Sequence, residues 1–191
     1  DDVPFASTAA LAPDVPCVTL NGLSKSHIVC GFRCGWAVVT GPRDLTAELK
    51  ECLGKLCSMR LCGNALTQLV IPAAMNDPES TKAMLSPGGR IYEQREAACK
   101  ALDQLQEEGL LTYKKPHAAF YVFPKLSSQF NITNDKQFAF DLLADKHILI
   151  VAGSGFDWPT PDHFRLVLLP EPEKLYKAVL DIGDFLKTYH Q

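Results

Sequence analysis

An α/β fold in two parts is what the sequence predicts, on three observations. Short apolar or β-branched runs alternate with longer segments whose leucines recur every three or four residues. Two turn clusters, Asn76-Asp-Pro78 and Ser86-Pro-Gly-Gly89, punctuate the middle of the chain and bracket a boundary between domains 1–86 and 87–191. The 191 residues, 47% hydrophobic and 21% charged, suffice to bury a sizeable core.

In chain order, residues 1–14 read as irregular connection, with Pro4 and Pro13 among them. Val15 to Leu20 is a short strand. Trp36 to Thr40 is apolar and β-branched and reads as a buried strand, ended by Gly41-Pro42. From Arg43 to about Cys57, Leu45, Leu49, Leu53 and Leu56 give one apolar helical face. A second helix carries Leu66, Leu69, Val70, Ala73 and Ala74, with a kink expected at Pro72, which lacks a backbone donor. Both helices read as scaffold, with a weak functional suspicion on Arg60 and Asn64. Arg90 to Glu108 is a third helix, stopped at Gly109 and joining the two domains. Beyond it, Leu110 to Tyr113 and Ala119 to Phe123 read as strands. Asp135 to Lys146 reads as a helix capped by Thr133 or Asn134, with Phe138, Ala139, Leu142 and Leu143 inward. Ile148 to Val151 and Phe164 to Leu169 are apolar strands. Glu173 to Tyr189 closes the chain as a helix with Leu175, Val179, Ile182, Leu186 and Tyr189 along one side.

Composition narrows the function classes. Net charge is −3 and no Lys/Arg cluster appears, which argues against nucleic acid as a partner. No apolar run approaches the roughly 20 residues of a membrane span. The chain opens on Asp1-Asp2-Val-Pro with no leader in view, and reads as part of a longer protein. Seven cysteines without a Cys-x-x-Cys pair read as reduced, mostly buried thiols, and a cytoplasmic location follows, with an organelle left open. His27, Cys30 and Cys34 lack the spacing of a zinc knuckle, so no metal site is expected. Asn131-Ile-Thr133 matches a glycosylation acceptor that matters only in a secreted chain.

Chemistry concentrates in Asn21-Gly-Leu-Ser-Lys25-Ser-His-Ile-Val-Cys-Gly31-Phe-Arg33-Cys-Gly35. A lysine amine forms imines when nearby positive charge or desolvation keeps it neutral, and Arg33 stands eight residues on. Arg33 also has the planar fork of donors that suits a phosphate. Gly31 and Gly35 let the backbone turn and let a ligand approach. Five fixed positions, each filled by chance at about 5–8%, match at only ~10⁻⁶ per starting point. The alternative is a surface turn with a solvated lysine. Arg165 interrupts the strand His163-Phe-Arg-Leu-Val-Leu-Leu169, and either points to solvent from a half-exposed strand or binds an anion.

The pattern Ser-Lys-x5-Gly-x-Arg-x-Gly resembles the cofactor-lysine signature of fold-type I aminotransferases. The segments Asn21 to Pro42, Ser58-Met-Arg-Leu-Cys62, Pro87 to Arg95, Phe156-Asp-Trp-Pro159 and Pro161-Asp-His-Phe-Arg165 extend the likeness to the alanine aminotransferase group of class I/II. It spans essentially the whole chain and corresponds to the carboxy-terminal half of such enzymes. The fold implied is the C-terminal part of the large cofactor-binding domain followed by a smaller α+β domain.

That resemblance implies a transaminase using pyridoxal 5′-phosphate and acting on an amino acid and a 2-oxo acid, such as alanine and 2-oxoglutarate. Lys25 would form the aldimine and shuttle the proton from the substrate Cα. Arg33 would hold the cofactor phosphate with help from Ser24, and Arg165 would clamp the substrate α-carboxylate. A homodimer is implied for the full-length protein, and an inactive, self-associating state for this segment alone, since the pyridine-nitrogen aspartate and ring-stacking residue precede it. Two departures stand out: Gly22 occupies a position where relatives carry a phosphate-binding hydroxyl, and His27 one where they carry an aromatic. Rival readings are an aminotransferase-like effector domain of a transcription regulator, an aromatic aminotransferase, or a C–S lyase.

Overall fold

Between Lys82 and Ala83 the chain divides into two units, Asp1–Lys82 and Ala83–Gln191, in a computed structural model that describes residues 4–118 and 120–191. The division falls within a helix, Pro78–Leu85, a few residues before the expected boundary at 86/87.

In the first unit, α1 (Thr8–Leu11) interrupts the expected irregular start, because Ser7 Oγ accepts the backbone N–H of Ala10 and caps a turn. Strand β1 (Cys17–Gly22) begins two residues later than the sequence suggests and leads directly into α2 (Leu23–Ser26). After a 3-10 turn at Cys30–Phe32, β2 (Gly35–Thr40) pairs antiparallel with β1, Gly22 opposite Gly35 and Cys17 opposite Thr40. The expectation of a buried strand at Trp36 to Thr40 is corrected. The hairpin is two-stranded and Val38 and Leu20 stand exposed, since this unit supplies no layer to cover them.

Helix α3 (Arg43–Arg60) runs a turn longer than its leucine face predicts, and Leu45 and Leu56 on that face are exposed. Its buried residue is Thr46, whose hydroxyl donates to Pro42 O at 2.9 Å. The second predicted helix is broken rather than kinked, into α4 (Ala65–Gln68) and α5 (Val70–Met75). Pro72 has no N–H for the carbonyl of Gln68, so the ladder stops at Leu69. Helix α6 (Pro78–Leu85) follows.

The second unit is built on α7 (Arg90–Glu107), which belongs wholly to it rather than linking two domains. Gly109, at φ +73°, ends α7 in a Schellman arrangement: Leu110 N–H donates to Leu105 O and Gly109 N–H to Gln106 O. Short strands β3 (Leu111–Thr112), β4 (Tyr121–Val122) and β5 (Lys125–Leu126) come next, with Ala119 of the expected strand outside the described residues. Helix α8 (Asp135–Lys146) has the predicted bounds and cap, Asn134 Oδ1 accepting from Lys136 N and Gln137 N. Phe138 and Leu142 face in, whereas Leu143 is exposed.

Strand β6 is only Val151–Ala152, so the run from Ile148 is mostly irregular. Strand β7 (Phe164–Val167) lies between β4 and β6 in an antiparallel sheet, and α9 (Pro172–Thr188) buries the predicted Leu175, Val179, Ile182 and Leu186, with the predicted Tyr189 buried just past its end. Helices α7 and α9 meet where Gly183 leaves room for Leu105, and Phe138 packs its ring on Phe164, Phe185 and Tyr189. Cys99 is buried, but Cys30, Cys52, Cys57 and Cys62 are exposed, which corrects the reading of mostly buried thiols; they lie on the uncovered surfaces of the first unit.

Candidate active site

Lys25 sits on α2, the single turn that follows β1. Leu23 is fully buried and pins this turn, while Ser26 Oγ donates to Gly22 O at 3.0 Å. Ser24 is half-buried beside Lys25, whose side chain is exposed. His27 is a packed imidazole: Nδ1 lies 2.9 Å from Ser26 Oγ and Nε2 lies 3.0 Å from Ala74 O. Among the described residues no three metal-ligating groups converge.

Arg33 follows the 3-10 turn in the left-handed region, φ +53°, and its Nη1 donates to Cys30 O at 3.0 Å. Gly31 has neither positive φ nor a neighbour that a Cβ would meet, so no turn demands it. Gly35 is required by the neighbouring strand instead of a ligand, because a Cβ there would fall 2.7 Å from Asn21 O. Arg33 and Gly35 line a polar cavity of about 600 Å³ with Arg60, Asn64, Thr67 and Gln68. Lys25 lies outside that lining, on the turn that packs against Cys30–Phe32. Leu61, next to Arg60, adopts φ +62° and ψ −64°, and Cys62 N–H donates to Arg60 O at 2.8 Å. This is a strained γ-turn, a conformation that persists only where the surroundings impose it.

Arg165 belongs to the second unit. It stands on β7 opposite Val151 of β6, with Tyr121 on β4. Its guanidinium carbon lies 4.6 Å from the centroid of Tyr121 and 4.7 Å from that of Phe156. Its Nε is buried and has no hydrogen-bond partner among the described residues. A buried guanidinium N–H without an acceptor is costly, and a carboxylate supplies the acceptor it lacks. Tyr121 and Phe156 went unnoticed in the sequence; the Phe-Asp-Trp-Pro segment held Phe156, but nothing local showed that two rings would converge on an arginine.

An aromatic cluster adjoins this point. Phe123 stacks on His163 at 5.0 Å and meets Phe156 and Trp158 edge-on. Asp162 ties the cluster together: its Oδ1 accepts from Thr160 Oγ1 at 2.6 Å and Trp158 Nε1 at 3.3 Å, and lies 2.6 Å from His163 Nδ1. Burial works to raise the Asp162 pKa, but bonds from Thr160, His163 and Trp158 outweigh it and hold the carboxyl well below the ordinary range.

A family model of aminotransferase class I and II matches residues 2–182. The chain belongs to that family. It is 41% identical over its whole length to alanine aminotransferase of Mycobacterium bovis and 40% identical to glutamate-pyruvate aminotransferase AlaA of Escherichia coli K12, covering 44% and 47% of them. Among solved structures, an aminotransferase from Escherichia coli matches with a TM-score of 0.93 at 40% identity, over 100% of this chain and 47% of that one. Alanine aminotransferase from Pyrococcus furiosus matches at 0.87 and 32%, over 99% and 47%. This aminotransferase chain thus spans just under half the length of the relatives it matches.

Aminotransferases of this class work with pyridoxal phosphate. The cavity bearing Arg33 and Arg60 fits the phosphate end of that molecule, since two guanidiniums and the amides of Asn64 and Gln68 are donors around a space large enough for a ligand.

Proposed function

We propose that the chain is the carboxy-terminal part of an alanine-type transaminase, which moves an amino group between alanine and a 2-oxo acid such as 2-oxoglutarate. The observation that carries this reading is the buried Nε of Arg165, unpartnered on a strand and flanked by two rings. Identity near 40% to alanine and glutamate-pyruvate aminotransferases supports the choice of substrates.

Arg165 binds the α-carboxylate through paired N–H donors, and a carboxylate so held fixes the direction of the Cα–H bond. Lys25 Nζ would take up the Cα proton and hold it for return, a task that needs the amine neutral. Arg33, with Arg60 in the same cavity, balances the phosphate charge, and Ser24 adds a hydroxyl. Pyridoxal phosphate, when bound, supplies the electron sink for the pair left at Cα. The protein works as a homodimer in the cytoplasm.

The test uses the full-length protein. Alanine with 2-oxoglutarate gives pyruvate and glutamate, and Lys25→Ala lowers kcat by at least about 10³-fold while abolishing the visible absorbance of the bound cofactor. Turnover of tyrosine or cystathionine in preference to alanine would overturn the substrate assignment. Full activity in Lys25→Ala would overturn the mechanism.

A further inference from the structure

Asp135 is 5% exposed, a burial rare for a carboxylate, and no cation pairs with it among the described residues. It lies in the first turn of α8, where a negative charge is favoured by the helix dipole. Capping does not explain it, because Asn134 Oδ1 already takes the N–H groups of Lys136 and Gln137. Both Asp135 oxygens go instead to one residue: Ser154 N–H donates to Oδ2 at 2.7 Å and Ser154 Oγ to Oδ1 at 2.8 Å.

Ser154 is the second residue of the 3-10 turn Gly153–Phe156. The residue before it is pinned from the other side. Gly153 N–H donates to His163 O at 2.8 Å, and a Cβ on Gly153 would fall 2.8 Å from that same oxygen. With Gly153 held by His163, the residue before β7, and Ser154 held by α8, the turn is tied at both of its first residues, and Phe156 leaves it toward Arg165. Arg165 Nε makes no hydrogen bond among the described residues, so the aim of the guanidinium depends on the rings it touches. Tyr121 is fixed by pairing of β4 with β7, and Phe156 by the turn.

We propose that Asp135 is a positioning residue for Arg165: by holding Ser154 it fixes the turn that sets the Phe156 ring against the carboxylate-binding guanidinium. This rests on the reading of Arg165 given above. Losing Asp135 loosens one of the two rings, so carboxylate affinity falls without any change in the groups that touch substrate.

The experiment uses full-length protein freed of cofactor and titrated with propionate, a carboxylate without a reactive carbonyl, followed by NMR. Asp135→Ala is expected to weaken propionate about 10-fold and to raise the KM for alanine by a similar factor in the loaded enzyme, with kcat changed by less than about 2-fold. Asp135→Asn keeps an acceptor for the Ser154 N–H and is expected to recover most of the loss. Ser154→Ala removes only the hydroxyl bond and is expected to cost about 3-fold. Affinity for pyridoxal phosphate stays at the wild-type value in all three variants. Wild-type propionate binding in Asp135→Ala and Ser154→Ala overturns the proposal, as does a parallel fall in cofactor affinity, the mark of a general folding defect. Should Asp135→Ala fail to fold, Ser154→Ala decides. Arg165→Gln separates the two readings: if it leaves propionate binding intact, the carboxylate role of Arg165 fails; if it alone abolishes binding, only the role of Asp135 fails.

Discussion

Asp162 gathers donors from Thr160 and Trp158 and closes on His163, and its carboxyl is held below the ordinary range although burial pushes the other way. A carboxyl with a depressed folded-state pKa is protonated more readily in the unfolded chain. Its contribution to stability is therefore complete above about pH 4 and is lost as the pH falls from there toward the folded-state value. Melting the wild type and Asp162→Asn between pH 7 and pH 2 should show the variant less stable at pH 7 and the two curves converging in acid. A constant gap across the range would refute the assignment. The same residue scale decides what was legible beforehand. Lys25, Ser24 and Arg33 are visible because a local motif carries them, and Arg165 because a charge breaks an apolar strand. Asp135 and Asp162 were invisible, since their partners Ser154 and Trp158 acquire meaning only when turns bring them together.

Gly183 shows how an element constrains its neighbour. It faces Leu105 where α7 and α9 touch, and each helix is bounded by a signal readable in the chain: Gly109 after the end of α7 and Pro172 at the start of α9. Adding a branched side chain at the contact must displace Leu105 or the helices. Gly183→Val should lower stability by about 1–3 kcal/mol, read from denaturant titration. An unchanged midpoint would show that the two helices have slack. Elements with strong periodicity or caps, α7, α8 and α9, were predicted nearly to the residue. The weak ones were misjudged. Ile148 to Ile150 is apolar enough for a strand, but only Val151–Ala152 finds a partner, and strand pairing depends on a neighbour that sequence proximity does not name.

At the scale of the whole molecule, the two units differ in how well they cover their own apolar side chains. The second unit buries Leu102, Leu105, Phe138, Leu142, Phe164, Leu168 and Ile182 around a common core, whereas the first exposes Leu20, Met59, Leu61, Leu66 and Leu69. The 191-residue chain alone should therefore self-associate, as sedimentation would show, and should not transaminate alanine. A monodisperse monomer across micromolar concentrations would contradict the first statement, and measurable turnover the second. Family membership, the motif that carries Lys25 and Arg33 and the long amphipathic helices are written in local order, because motifs and 3.6-residue periodicity need no distant partner to be recognised. The uncovered hairpin, the two rings on Arg165 and the clamp of Asp135 on Ser154 were not. Burial and hydrogen-bond satisfaction are properties of the folded surroundings, and a chain read in one dimension does not contain its own neighbours.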